Sequence, residues 1–384
     1  MAAKIIIAKT SGKTYKGTYG VDYFEVPANA GNKITVKSYG ANDRITVDGG
    51  NDLRIEAGNG NDIITINCGH ISKITADKGN DRISVTAGKI KSVDLGAGNN
   101  EVNVSGGTVS KILGGSEKDV IILAKQKNIN IDAGKGNNEI TVTGRNDSTT
   151  ASAVSKGRIV SGKGDDTITI NNGGFYKITP DSGNDKVTVN GGSHIIKTKD
   201  GDDVIIIGSN RSNFLDAGAG NDEITLNGTS SHNKIVGGKG NDIFNINNTN
   251  MNLIVGGEGS DTYNIASIGG KTVIDNSSGS SKDTDILNFE ESINHNKLFY
   301  DKKRDILQCN DIFIKGFKKL DVINISNGGL FHTFTAQDLI NESFSADLGE
   351  FNSELKAFNK DVNTILDKGF VTNRLAKFAG YNKK

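Results

Sequence analysis

Apolar residues recur along most of the chain in two registers that share a period near nineteen. One register is a pair separated by a single residue: Ile45 and Val47, Ile64 and Ile66, Ile83 and Val85, Ile168 and Ile170, Phe244 and Ile246. Alternation at a period of two marks a half-buried strand. The other register is a single column: Val36, Ile55, Ile74, Val93, Ile112, Ile131, Ile159, Ile178, Ile196, Leu215, Ile235 and Ile254. Two residues before each pair stands an acid or its amide, at Asp43, Asp62, Asp81, Asn100, Asp119, Asn138, Asp166, Asp185, Asp203, Asp222, Asp242 and Asp261. The spacing is 19 except for 28 before Asp166, 18 before Asp203 and 20 before Asp242, and a degenerate copy at Asp22 lies 21 before Asp43.

Each repeat therefore holds two short strands and two turns, which is one coil of a solenoid. The prediction is an all-β chain: a parallel β-solenoid (β-roll) of about 13 coils, with successive coils stacked at the strand spacing of ~4.8 Å. The long spacing places a loop near residues 145–156, a Ser/Thr-rich stretch.

Composition agrees. Glycine is 49 of 384 residues and proline only 2, as tight turns and uninterrupted ladders require. The 35% hydrophobic fraction suits a thin core with one inward residue in two. Lys+Arg and Asp+Glu balance at 45 each, so total charge gives no reason to expect nucleic acid. No apolar run is long enough for a transmembrane helix. The apolar run after Lys4 is too short for a cleaved export signal. Cys68 and Cys309 form no CxxC, and His70, His194, His232, His295 and His332 share no register. With no GxSxG, HExxH or Walker motif in the chain, an enzyme is not expected.

The chemistry lies in the Gly-x-Gly-Asn-Asp turn. Glycines two and four before the acid admit positive φ. Stacking sets carboxylate over carboxylate, and two bare charges ~4.8 Å apart repel by roughly 0.9 kcal/mol even in water. A divalent cation between coils converts that repulsion into ligation. Carboxylate and carbonyl oxygens are the hard ligands that Ca2+ prefers. The candidate metal residues are Asp43, Gly58, Gly60, Asp62, Gly79, Asp81, Gly162, Gly164, Asp166, Gly183, Asp185, Gly201, Asp203, Gly218, Gly220, Asp222, Gly238, Gly240, Asp242, Gly257, Gly259 and Asp261. Stacked Asp and Asn turn formers without metal are the alternative.

Gly237-Gly-Lys-Gly-Asn-Asp242 and Gly256-Gly-Glu-Gly-Ser-Asp261 resemble the calcium-binding repeat of RTX (repeats-in-toxin, haemolysin-type) proteins over about residues 18–270. Only one turn in two carries the motif, so metal is expected on one edge. In this one-sidedness the repeat is similar to the calcium-dependent ice-binding domain of an RTX adhesin. The residue between the glycines varies (Asn59, Lys135, Lys239, Glu258), which argues against a flat ice-binding array. Sites touching Asn100, Asn138 and the Glu117-Lys118 loop should be weak or empty. The best should lie among Asp203, Asp222, Asp242 and Asp261, with others at Asp62/Asp81 and Asp166/Asp185.

The resemblance implies a secreted, extracellular or cell-surface protein that folds on export when calcium fills its sites, in a structural or adhesive role. The expected organisation is an N-terminal cap over 1–17, a calcium-binding solenoid over 18–270, a β cap over 271–344, and a helical tail over 345–384 that resembles a type I secretion signal. The tail also reads simply as a helix packing on the cap. An outward column, Arg54, Lys73, Ser92, Lys111, Asn130, Arg158 and Lys177, suggests two further readings. One is a module for a polyanionic cell-surface glycan; the other is a solvated face. Self-association, or a repeat portion serving an enzyme on another chain, completes the alternatives.

Overall fold

The structure is a computed structural model. It describes residues 4–338, except 145–154, 209–212, 229–231, 250–251, 269, 271, 281, 291–297, 303–304, 310 and 328–329. The proposed helical tail and most of the 145–156 loop lie outside the described residues. The fold is all-β, a parallel β-solenoid of about 13 turns with spacing near 19 residues. It divides into two units, Met1–Lys186 and Val187–Lys384.

In the first unit the alternating pairs build one sheet, with strands such as Arg44–Val47, Ile63–Ile66, Arg82–Val85 and Glu101–Val104. All pair in parallel, and Ile45, Ile64, Ile83 and Val102 stand in register. The single apolar column runs through the facing sheet, where Leu53–Glu56, His70–Thr75, Asn128–Gly134 and Lys156–Lys163 carry Ile55, Ile74, Ile131 and Ile159. Every residue in both sets is essentially fully buried. This thin core follows from the pattern: one face of each strand turns inward, and β-branched side chains fill a pleated surface well. Lys4–Ile7 and Thr14–Lys16 join the two sheets in parallel as an initial coil.

The second unit repeats the plan, with Val204–Ile207, Glu223–Leu226 and Ile243–Thr249 in one sheet and Phe214–Ala219, Lys234–Lys239 and Asn252–Glu258 in the other. Phe244 and Tyr263 stack in its core with ring centroids 5.1 Å apart. Parallel stacking continues past residue 270: Thr272–Asp275 pairs with both Asn252–Glu258 and Ile312–Lys315, and Asp285–Phe289 pairs with Leu320–Asn327. Antiparallel pairing enters through Leu298–Asp301, Ile306–Cys309 and Ile312–Lys315, and through Leu320–Asn327 with Leu330–Phe334.

The two units differ at the edge opposite the Gly-Asn-Asp turns. In the first, apolar residues close it, among them Leu53, Ile71, Ile90, Val109 and Ile129. In the second, buried His194, Asn213, Asn233 and Asn252 occupy it.

Candidate metal column

The two glycines of the turn adopt left-handed conformations, as at Gly218 (φ 116°) and Gly220 (φ 137°). Residue type does not dictate this, because Tyr39, Asp77 and Lys199 also take positive φ in the slot where other coils place the first glycine. A Cβ at Gly218 would also collide with the carbonyl of Lys199 one coil before.

These turns bring the acids into one buried column on each unit. Asp43, Asp62, Asp81, Asp166 and Asp185 in the first unit, and Asp203, Asp222, Asp242 and Asp261 in the second, are each at most 2% exposed. The column is tied by one repeated bond. The backbone N–H of each acid donates to Oδ1 of the acid one coil later: Asp43 to Asp62 (2.7 Å), Asp62 to Asp81 (2.8 Å), Asp203 to Asp222 (2.9 Å), Asp222 to Asp242 (2.9 Å) and Asp242 to Asp261 (3.0 Å). An outer ladder runs the opposite way, with the N–H of Asn61, Asn80 and Asn99 donating to the side-chain oxygen of the residue 19 earlier.

In several of these carboxylates one oxygen is thereby satisfied and the other is not. Oδ2 of Asp62, Asp81, Asp222 and Asp242 is buried with no hydrogen-bond partner. The same holds at Asp43 and Asp166. An ionised carboxylate only accepts hydrogen bonds, so a column of carboxylates contains no donor of its own. The cost appears in proton affinity. Burial pushes Asp62, Asp81 and Asp222 up to about 7 and Asp242 up to about 8, against the opposing pull of the backbone N–H. Neighbouring carboxylates raise Asp62 and Asp242 further. Burial likewise raises Asp43 to about 6 and Asp261 to about 7.

Among the described residues, no three His, Cys, Asp or Glu side chains gather as a metal-binding group. An ion in the column would therefore need main-chain carbonyls beside the carboxylates. All such donors are oxygens, a set that fits a hard divalent cation.

The degenerate copy at Asp22 joins the column, and past Asp261 the column is longer than the period predicts. Asp22 donates to Asp43 Oδ1 (2.7 Å), Asp261 to Asp285 Oδ1 (2.9 Å) and Asp285 to Asp321 Oδ2 (3.2 Å). Asp285 and Asp321 escape detection because their separations, 24 and 36 residues, break the nineteen-residue spacing. A signal existed: Leu287 and Phe289 follow Asp285 at the offsets used in every other coil and are buried.

The outward basic column is partly neutralised. Arg54 Nε lies 2.9 Å from Glu56 and Lys73 Nζ lies 3.0 Å from Asp94. No helix among the described residues is long and apolar enough to cross a membrane.

No protein-family model matches the chain, and no curated protein matches it. Among solved structures it is similar to the X-ray crystal structure of a hyperactive, Ca2+-dependent, β-helical antifreeze protein from an Antarctic bacterium. The TM-score is 0.52 at 19% identity, over 90% of this chain and 96% of that one. The likeness establishes the fold.

Proposed function

We propose that this chain is a calcium-binding repeat protein of RTX type, in which Ca2+ completes the column of buried aspartates. It acts outside the cell as a structural or adhesive element and has no catalytic role. The observation that carries the reading is the buried, unpartnered Oδ2 that recurs at Asp62, Asp81, Asp222 and Asp242. Such an oxygen requires a proton or a cation, since leaving a buried charged acceptor unpaired costs several kcal/mol. The aspartates, with carbonyls of the adjoining glycine turns, would hold the ion. When bound, Ca2+ supplies the positive charge that the carboxylates lack. The Ca2+ dependence of the β-helical antifreeze protein supports this choice of ion.

The same logic links folding to place. Extracellular calcium, at roughly mM, saturates sites of the weak extracellular class, whereas the low-calcium cytosol leaves the column charged and unmatched. Calcium titration by calorimetry, with circular dichroism in Ca2+ and in EGTA, tests the reading. Uptake of several ions per chain and loss of β signal in EGTA are expected; no uptake would refute it. The polyanion reading has less support, because Arg54 and Lys73 already face Glu56 and Asp94.

A further inference from the structure

Three successive coils of the first unit solve the column problem without an ion. Asn100 is 2% exposed, and its Oδ1 accepts the Asp81 N–H (2.9 Å) as an aspartate would. Its Nδ2 donates to the Gly98 carbonyl (2.9 Å) and to Asp119 Oδ1 (3.0 Å), so it bridges a turn carbonyl to the next carboxylate. Asn138 is fully buried and does the same: Oδ1 accepts the Asp119 N–H (2.9 Å), while Nδ2 donates to the carbonyls of Gly136 (2.9 Å) and Ser161 (3.1 Å).

The coil between them is also satisfied. Where other coils have the second glycine, this loop has Glu117, whose Oε2 accepts the Gly98 N–H (2.9 Å). Gly115, absent from the positive-φ residues, turns its own N–H onto Asp119 Oδ2 (3.2 Å). No side-chain oxygen or nitrogen of Asn100, Asp119 or Asn138 is among the buried unpartnered atoms, in contrast to Asp62 and Asp81 before them and Asp166 after them.

The Asn side-chain nitrogens therefore sit among main-chain carbonyl oxygens, joined at Asn100 by a carboxylate oxygen, all of the oxygen-donor kind that the calcium reading gives to the ion. We propose that Asn100 and Asn138 are internal cation substitutes, that the coils of Asn100, Asp119 and Asn138 form an ion-free block stable without calcium, and that calcium loads only the coils outside it. The block then acts as a folded template from which neighbouring coils add as ions arrive, since each solenoid coil is stabilised by the one beside it. The proposal rests on the calcium reading for the flanking coils, but the metal independence of the block stands on its own bonds.

Hydrogen exchange followed by mass spectrometry on the full chain, in Ca2+ and in EGTA, tests it. Peptides within residues 101–143 should keep their protection in EGTA. Peptides from 53–76 and from 214–226 should lose at least tenfold. Uniform loss, or uniform retention with calcium bound, would overturn the proposal. The double variant N100D/N138D should bind at least one more Ca2+ per chain and make residues 101–143 sensitive to EGTA; unchanged stoichiometry in a folded variant would also overturn it. Should that variant fail to fold, the reverse change Asp242→Asn gives the same test. It should bind fewer ions and raise protection of residues 234–249 in EGTA; loss of protection there would count against amide substitution. A wild-type chain that binds no Ca2+ would sink the proposed function, while EGTA-independent protection confined to 101–143 would still support the block.

Discussion

The coils of Asn100 to Asn138 and those of Asp222 to Asp261 share a backbone plan and differ in how one buried polar column is satisfied. Both pass a main-chain N–H to a side-chain oxygen one coil later, at 2.9–3.1 Å in the first region and 2.9–3.0 Å in the second. In the first, a side-chain amide then donates onward. In the second, Asp222 and Asp242 each keep an oxygen with nothing to accept from. The lesson is that a stacked amide carries donor and acceptor together and can close its own ladder, whereas a stacked carboxylate must borrow charge.

The second unit repeats that lesson on its opposite edge. There Asn213 Nδ2 donates to Asn233 Oδ1 (2.9 Å), and Asn233 Nδ2 to Asn252 Oδ1 (2.9 Å), with His194 N–H donating to Asn213 Oδ1 (2.7 Å). Burial lowers His194 to about 4, so it joins this edge as a neutral ring. The second unit thus pairs an aspartate edge that keeps unpartnered oxygens with an amide ladder closed as far as Asn252, whose own Nδ2 is buried with no partner.

The contrast can be broken most forcefully by removing calcium. With several sites each contributing about 2.7 kcal/mol at a hundredfold excess over Kd, EGTA should lower Tm by about 20 °C or more, measured by calorimetry. The second unit should melt first.

A smaller effect, of opposite sign in the two states, is expected from pH. In the metal-free chain the folded pKa values of Asp62, Asp81, Asp222 and Asp242, about 7 to 8, lie above the ordinary 3.8. The folded state then holds more protons than the unfolded one, so stability is complete at low pH and lost as pH rises through 7–8. Tm in EGTA should fall by about 5–10 °C between pH 5 and 8.5. In calcium the trend should reverse, because ligation needs the carboxylate.

Asp242→Asn sharpens the comparison at one residue. It should stabilise the chain in EGTA and destabilise it in calcium, by about 1–3 kcal/mol in each direction by denaturant unfolding. Gly218→Ala should cost about 1–3 kcal/mol in both conditions, since it opposes positive φ and the Lys199 carbonyl rather than any charge. Least of all, Lys197→Ala removes a half-exposed pair 2.7 Å from Asp216 and should change stability by no more than about 1 kcal/mol, with or without calcium.

The period of nineteen, the alternating pairs and the single apolar column determine which residues face inward, because only a coil returning to the same point each turn buries all of them. Ile45, Ile64, Ile83 and Val102 fall into register for that reason. The acidic column was equally legible, as was its interruption at Asn100 and Asn138. Its extension to Asp285 and Asp321 was not, because the intervening residues hide the period. Nor were the amide ladders of the second unit, although Asn213, Asn233 and Asn252 recur at separations of 20 and 19. A polar residue on a strand reads as outward until its neighbours show it enclosed.

The amino-acid order alone thus settled the coil, its inward faces and the alignment of its acids. It could not settle which of the aligned oxygens find a donor. That depends on where each amide nitrogen, N–H and carbonyl comes to rest relative to the next coil, a difference of about an ångström between a closed hydrogen bond and an orphaned charge, and only the stacked chain fixes it.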